Sequence, residues 1–175
     1  MDRYFLILAT AVAMVGAIFD ARSRRIPNQF TLAALAAGLV IRGVFEGLMG
    51  LESAIWGALL PSGILFLFFL AGGMGGGDVK LMAAVGAWVG IKYVTPVLIA
   101  AALAGGALAI AYAVADGTVT RTFRNTVILV RHHLTLGLRP HSQIHVQNSS
   151  TTRVPFGIAI AMGTLFCAGS ALLRR

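Results

Sequence analysis

Phe66-Leu67-Phe68-Phe69-Leu70-Ala71-Gly72-Gly73-Met74-Gly75-Gly76-Gly77-Asp78-Val79-Lys80-Leu81 decides how this chain folds. An apolar run breaks into a cluster of glycines, an aspartate follows, and a second apolar run begins at Val79. Glycine accepts positive φ and close backbone approach, so the chain can turn sharply here and present Asp78 at the start of a new helix. An acid deep in hydrocarbon costs on the order of 2.5 to 3.5 kcal/mol, so its presence in such surroundings needs a reason.

The surrounding composition sets the solvent. Of 175 residues, 58% are hydrophobic and 11% charged, with a mean hydropathy of +0.85, far outside soluble averages. The expectation is an all-α integral membrane protein: a polytopic bundle of about six transmembrane helices of roughly 20 residues each, in one membrane-embedded domain over residues 1–175. The net charge of +8 is carried between apolar runs, where lipid headgroups and topology account for it, so the bilayer and not nucleic acid is the expected partner. The single cysteine, Cys167, rules out an internal disulfide or a cysteine zinc cluster and reads as lipid-facing or packing filler. Met1-Asp2-Arg3 and the run to Phe19 imitate a signal peptide with an Ala11-Val12-Ala13 site, but the apolar stretch ahead of that site is at the short limit.

Six spans follow: Tyr4 to Phe19, Phe30 to Phe45, Ala54 to Ala71, Val79 to Gly90, Val94 to Ala115 and Val154 to Leu173. Small residues crowd them, as in Ala36-Ala37-Gly38 and Gly105-Gly106-Ala107, which lets helix backbones approach where lipid removes the hydrophobic drive. Pro61 is expected to kink the third span. Orientation comes from Lys and Arg. With both termini outside, nine basic residues (Arg22, Arg24, Arg25, Lys80, Arg121, Arg124, Arg131, Arg139 and Arg153) face the cytoplasm against five outside (Arg3, Arg42, Lys92, Arg174 and Arg175). Asp20, at the end of span one, and Asp78, at the start of span four, then share the cytoplasmic border.

Each acid has an ordinary reading as well. Asp78 after a glycine turn suits a helix N-terminus, with Lys80 as a snorkelling lysine or a charge favouring the carboxylate. Asp20 is harder to explain, because an acid at a helix C-terminus opposes the macrodipole; Arg22, Arg24 or Arg25 would offset it as an ion pair. Ile26-Pro27-Asn28 reads as a stop and restart, with Pro27 or Asn28 opening the second helix.

Asp20-Ala21-Arg22 with Ile26-Pro27-Asn28, then Gly75-Gly76-Gly77-Asp78-Val79-Lys80-Leu81 and Gly86-Ala87-Trp88-Val89-Gly90, resemble the bacterial type IV prepilin peptidases, a group of GxGD aspartic membrane proteases. Val154-Pro155-Phe156-Gly157 is similar to the proline-containing opening of that family's final helix. The resemblance implies an aspartic endopeptidase with Asp20 and Asp78 as catalytic dyad and Arg22, Pro27, Asn28, Gly75, Gly77, Lys80 and Pro155 as supporting motif positions. Two carboxylates about 3 Å apart cannot both ionise easily, so they share a proton and titrate as a pair. One takes a proton from water while the protonated partner polarises the scissile carbonyl.

The resemblance further implies pilin and pilin-like precursors as substrates, a multi-pass location in the bacterial inner membrane, and a site near the cytoplasmic face. About nine residues join the first two spans, where longer relatives carry an insert with a cysteine zinc motif and N-methyltransferase activity. This chain therefore resembles the short, peptidase-only form of tight-adherence (Flp-type) pili, and no metal, methyl donor or other cofactor is expected. Arg22, Arg24 and Arg25 would repel a basic leader and read as topology anchors.

The segment 116–153, nearly forty residues, is expected to be a cytoplasmic loop between spans five and six. Phe123, Val127, Val130 and Leu134 recur at helical spacing, suggesting an amphipathic helix on the leaflet. His132, His133, His141 and His145 all fall there; His141 and His145 have the spacing of a metal pair, but no acid or cysteine completes a site, so they read as solvated. Two other classes remain open on the residues alone. One is a small transporter or channel whose broken helix at Gly72 to Asp78 coordinates a cation. The other is a noncatalytic membrane subunit with capped or paired acids.

Overall fold

A computed structural model describes residues 2–120, 123–125, 127–128 and 155–173. The described chain is helical, and four helices are long and apolar enough to cross a membrane: α1 (Asp2–Ser23), α2 (Asn28–Leu70), α3 (Gly76–Ala115) and α4 (Phe156–Leu173). At 1.5 Å per residue, the 22 residues of α1 reach about 33 Å, enough for a hydrocarbon core of about 30 Å. Asp2 in its first turn and Arg22 in its last suit the macrodipole. The histidines at 132, 133, 141 and 145, and most of the proposed amphipathic helix, lie outside the described residues.

The second and third predicted spans fall together in α2, and the fourth and fifth in α3. Each long helix carries one glycine off the helical path: Gly47 at φ 68°, ψ −155° and Gly90 at φ 70°, ψ 176°. That region is open essentially to glycine alone, because a β-carbon there collides with the backbone. The neighbours report how far the path departs. A β-carbon on Gly43 would stand 3.6 Å from Leu51 Cβ, although eight residues of unbroken helix would separate the two positions by about 12 Å. Likewise Lys92 bonds Asp2 at one end of α1, while Gly105 packs against Phe156 and Gly157 bonds Asp20 at the other.

The core forms around α3, which packs on α1, α2 and α4, with α4 also against α1. Leu6, Leu81, Met82, Val85, Val89, Val94, Val97 and Ile160 are fully buried there. Small residues set the spacing. Gly57 meets the Gly86 carbonyl, and Gly163 lies against the Ala100–Ala101 backbone, so these crossings are backbone-close, as expected where association depends on packing. Trp88 is core, its indole N–H donating to the Ala34 carbonyl at 2.8 Å; Phe66, Phe68 and Phe69 remain exposed. Cys167 is buried packing and not lipid-facing. Pro61 lies inside α2 and is buried.

Arg42, read from sequence as an outer-side charge, proves structural, with Glu46 as its ion-pair partner. Arg42 is buried; its guanidinium donates to the Trp88 carbonyl (2.9 Å), the Val89 carbonyl (3.3 Å), Glu46 (3.0 Å) and Ser53 (3.4 Å), and stacks over Phe5. The break at Gly90 frees the last carbonyls of the helical stretch before it, and in a membrane these need a donor. Arg42 supplies it. Local sequence could not reveal this, since the carbonyls belong to a stretch 46 and 47 residues away.

Candidate active site

Asp20 sits in the last turn of α1 and is buried. The helix ends directly after it: Arg24, at φ 51°, takes the left-handed conformation and returns its N–H to the Asp20 carbonyl at 2.8 Å. The Asp20 carboxylate accepts a 2.8 Å hydrogen bond from the Gly157 amide, in the first turn of α4. Among the described residues no lysine or arginine forms an ion pair with Asp20; the Arg24 charge acts on it from beyond ion-pair distance, and the direct partner is a helix N-terminus, whose free N–H groups and positive dipole end suit a carboxylate. The Arg22 side chain is exposed and bonds to no described residue.

Asp78 lies in the first turn of α3, three residues after the N-cap Gly75. Its backbone N–H donates to the Gly75 carbonyl at 3.2 Å, and its carboxylate folds back over Gly75, where a β-carbon would stand 3.2 Å from Oδ2. The glycine cluster ahead of it first closes α2: with Gly72 at φ 77°, the Gly72 amide bonds Phe69 and the Gly73 amide bonds Phe68, at 2.9 and 3.0 Å. Gly16, one turn before Asp20, meets Leu81, and Ile26 packs on Gly77 beside Asp78, so two acids 58 positions apart in sequence lie at the same end of the bundle.

The α1–α2 turn lies over the start of α3. Ile26 is buried against Gly77, and Pro27 caps α2. Lys80 neither pairs with Asp78 nor stands free: its ammonium donates to the Asn28 side-chain oxygen at 2.9 Å, tying the first motif to the second. Pro155 immediately precedes α4 and starts its first turn, its carbonyl accepting from Ile158 at 3.2 Å. Phe156 packs into the space above Gly105. Gly157 is the residue that sequence reading missed as a contributor; a β-carbon there would stand 2.9 Å from both Asp20 Cβ and Oδ2. Its place in Val154-Pro155-Phe156-Gly157 was the available signal. A carboxylate offers about four lone-pair sites, of which Gly157 occupies one, so the pair retains capacity to hold a water and a carbonyl.

What these features define is a polytopic helical membrane protein with two acids converging at one end of the bundle. Residues 6–110, which include both acids, match the model of the Type IV leader peptidase family, and the chain belongs to that family. It is similar to the prepilin leader peptidase/N-methyltransferase of Escherichia coli K12, 31% identical over 129 residues, 70% of this chain and 55% of the relative. A protein of the same description from Burkholderia pseudomallei strain K96243 is 39% identical over 107 residues, 58% of this chain and 34% of the relative. Leader peptidase HopD of Salmonella typhimurium LT2 is 34% identical over 91 residues, covering 48% and 58%. The chain thus spans about a third to somewhat over half the length of these relatives. No solved structure matches it.

Proposed function

We propose that this chain is an aspartic endopeptidase of the inner membrane that removes short leader peptides from pilin-like precursors, with Asp20 and Asp78 as its dyad. The observation that carries the reading is that the last turn of α1, which holds Asp20, the first turn of α3, which holds Asp78, and the first turn of α4 meet at one end of the bundle, inside a chain of this family. In the proposed reaction the ionised carboxylate takes a proton from a bound water as the water oxygen bonds to the scissile carbonyl carbon. The protonated partner donates to the carbonyl oxygen, giving a neutral diol with no covalent enzyme intermediate. The diol then collapses: the C–N bond breaks, the nitrogen receives a proton from the dyad, and the shared proton is restored. The Gly157 amide holds the Asp20 carboxylate from the start of α4, and the first turn of α3 presents Asp78.

The reading includes six passes, with reversals at Gly47 and Gly90 splitting α2 and α3, and both acids at the cytoplasmic border. The close approach of Gly43 to Leu51 and the return of Gly105 toward the Asp20 end support the reversals. It also includes the absence of N-methyltransferase activity, supported by the four-residue connection between α1 and α2 and by similarity to a relative named only as a leader peptidase. A transporter with a broken helix at Gly72 to Asp78 is disfavoured, because those glycines join helix ends and do not interrupt a span.

Asp20→Asn and Asp78→Asn test the dyad, since asparagine keeps the shape and removes the acid. Each is expected to abolish cleavage of a co-expressed pilin precursor with membrane insertion retained. Normal cleavage by either variant sinks the assignment.

A further inference from the structure

At the end of α1 opposite Asp20, a cleft of ≈ 960 Å³ opens between the start of α1, the stretch of α3 after Gly90, and the last turns of α4. Eighteen residues of helix place its mouth about 27 Å from the acids, close to a full hydrocarbon thickness, so the peptidase reading makes no use of it. Its wall is apolar, with Ile99, Leu103 and Phe166 exposed within it. Its mouth is charged. Lys92 bonds Asp2 at 2.8 Å yet keeps 67% of its side chain exposed, and Arg3 is exposed with no ion pair or hydrogen bond to a described residue. Two cations against one acid leave the mouth with a net positive charge. Tyr4 and Tyr93 line it as well, residues of the type that marks a membrane–water interface.

We propose that this cleft binds one anionic phospholipid, its phosphate held at Arg3 and Lys92 and an acyl chain laid along Ile99, Leu103 and Phe166. Length supports this occupant. From Lys92 to Leu103 is eleven residues, about 16 Å of helix, which matches half of a hydrocarbon core of about 30 Å. A groove one leaflet deep, apolar along its length and cationic at the border, fits a lipid; a transmembrane helix from a partner would need a face running the full thickness. The surplus cation at the mouth selects an anionic headgroup over a zwitterionic one.

The experiment uses the full chain in detergent with equal amounts of phosphatidylglycerol and phosphatidylcholine, read by native mass spectrometry. One retained phosphatidylglycerol per chain is expected. Arg3→Ala, which disturbs no described contact, should weaken retention about fivefold, the effect of one basic residue at a charged surface. Leu103→Trp, which fills the cleft and keeps the mouth charges, should abolish it, while Arg25→Ala, at the opposite end, should retain it. Equal retention of phosphatidylcholine, wild-type retention by Arg3→Ala, or a dimer that covers the cleft overturns the proposal. None of these outcomes bears on cleavage by the aspartates.

Discussion

Gly157→Ala puts the most direct strain on the proposed dyad. The new methyl would lie 2.9 Å from Asp20 Cβ and from Oδ2, and 3.3 Å from Cγ. Carbon contacts settle near 3.5 to 4.0 Å, so α4 and Asp20 must separate by about 0.6 Å or more. Neither side yields easily, since Phe156 fills the space above Gly105 and Asp20 sits in a helical turn closed by Arg24. The same shift stretches the 2.8 Å hydrogen bond from the Gly157 amide. Overpacking of this kind costs about 1 to 3 kcal/mol, and a displacement approaching 1 Å at a reacting group costs on the order of 10²-fold in rate. We expect precursor cleavage in reconstituted vesicles to fall roughly ten- to a hundredfold on these grounds, mainly in kcat, with the protein still inserted. Gly169→Ala is the control on the same helix, because a β-carbon there meets nothing within 4 Å. Wild-type turnover by Gly157→Ala would refute the claim that the start of α4 positions Asp20.

Arg42→Met should lower the melting point in detergent severely, by the equivalent of about 3 to 5 kcal/mol, since it orphans Glu46 and the Trp88 and Val89 carbonyls together. Gly47→Ala and Gly90→Ala should differ in the same assay. Both incur the backbone strain of about 1 to 3 kcal/mol, but only at Gly90 would the methyl also collide with Ser53 and Arg42, so the Gly90 variant should melt lower or fail to insert. Lys80→Met removes an exposed hydrogen bond to Asn28 worth about 1 kcal/mol, so its melting point should move little while cleavage falls measurably. Unchanged cleavage would show that the tie does not help place the acids.

By itself the sequence determined that this is a helical membrane chain, because hydropathy over 20-residue windows is a local property and lipid admits few alternatives to helices. It also singled out Asp20 and Asp78, because acids amid such apolar surroundings are costly and therefore conspicuous. Helix starts at Pro27-Asn28 and near Asp78 were legible for the same reason, turn and cap chemistry being written in neighbouring residues, although the second helix opens at Gly76, ahead of the expected Val79. The tertiary structure alone decided what those residues touch. Gly157 reaches Asp20 across 137 positions, Lys80 reaches Asn28 across 52, and Arg42 leaves the surface to serve carbonyls freed at Gly90. Such partners depend on how helices pack and where glycines let them approach or turn. Packing is a relation between distant segments, and no local pattern of charge or apolarity encodes which backbone amide will stand beside a given carboxylate.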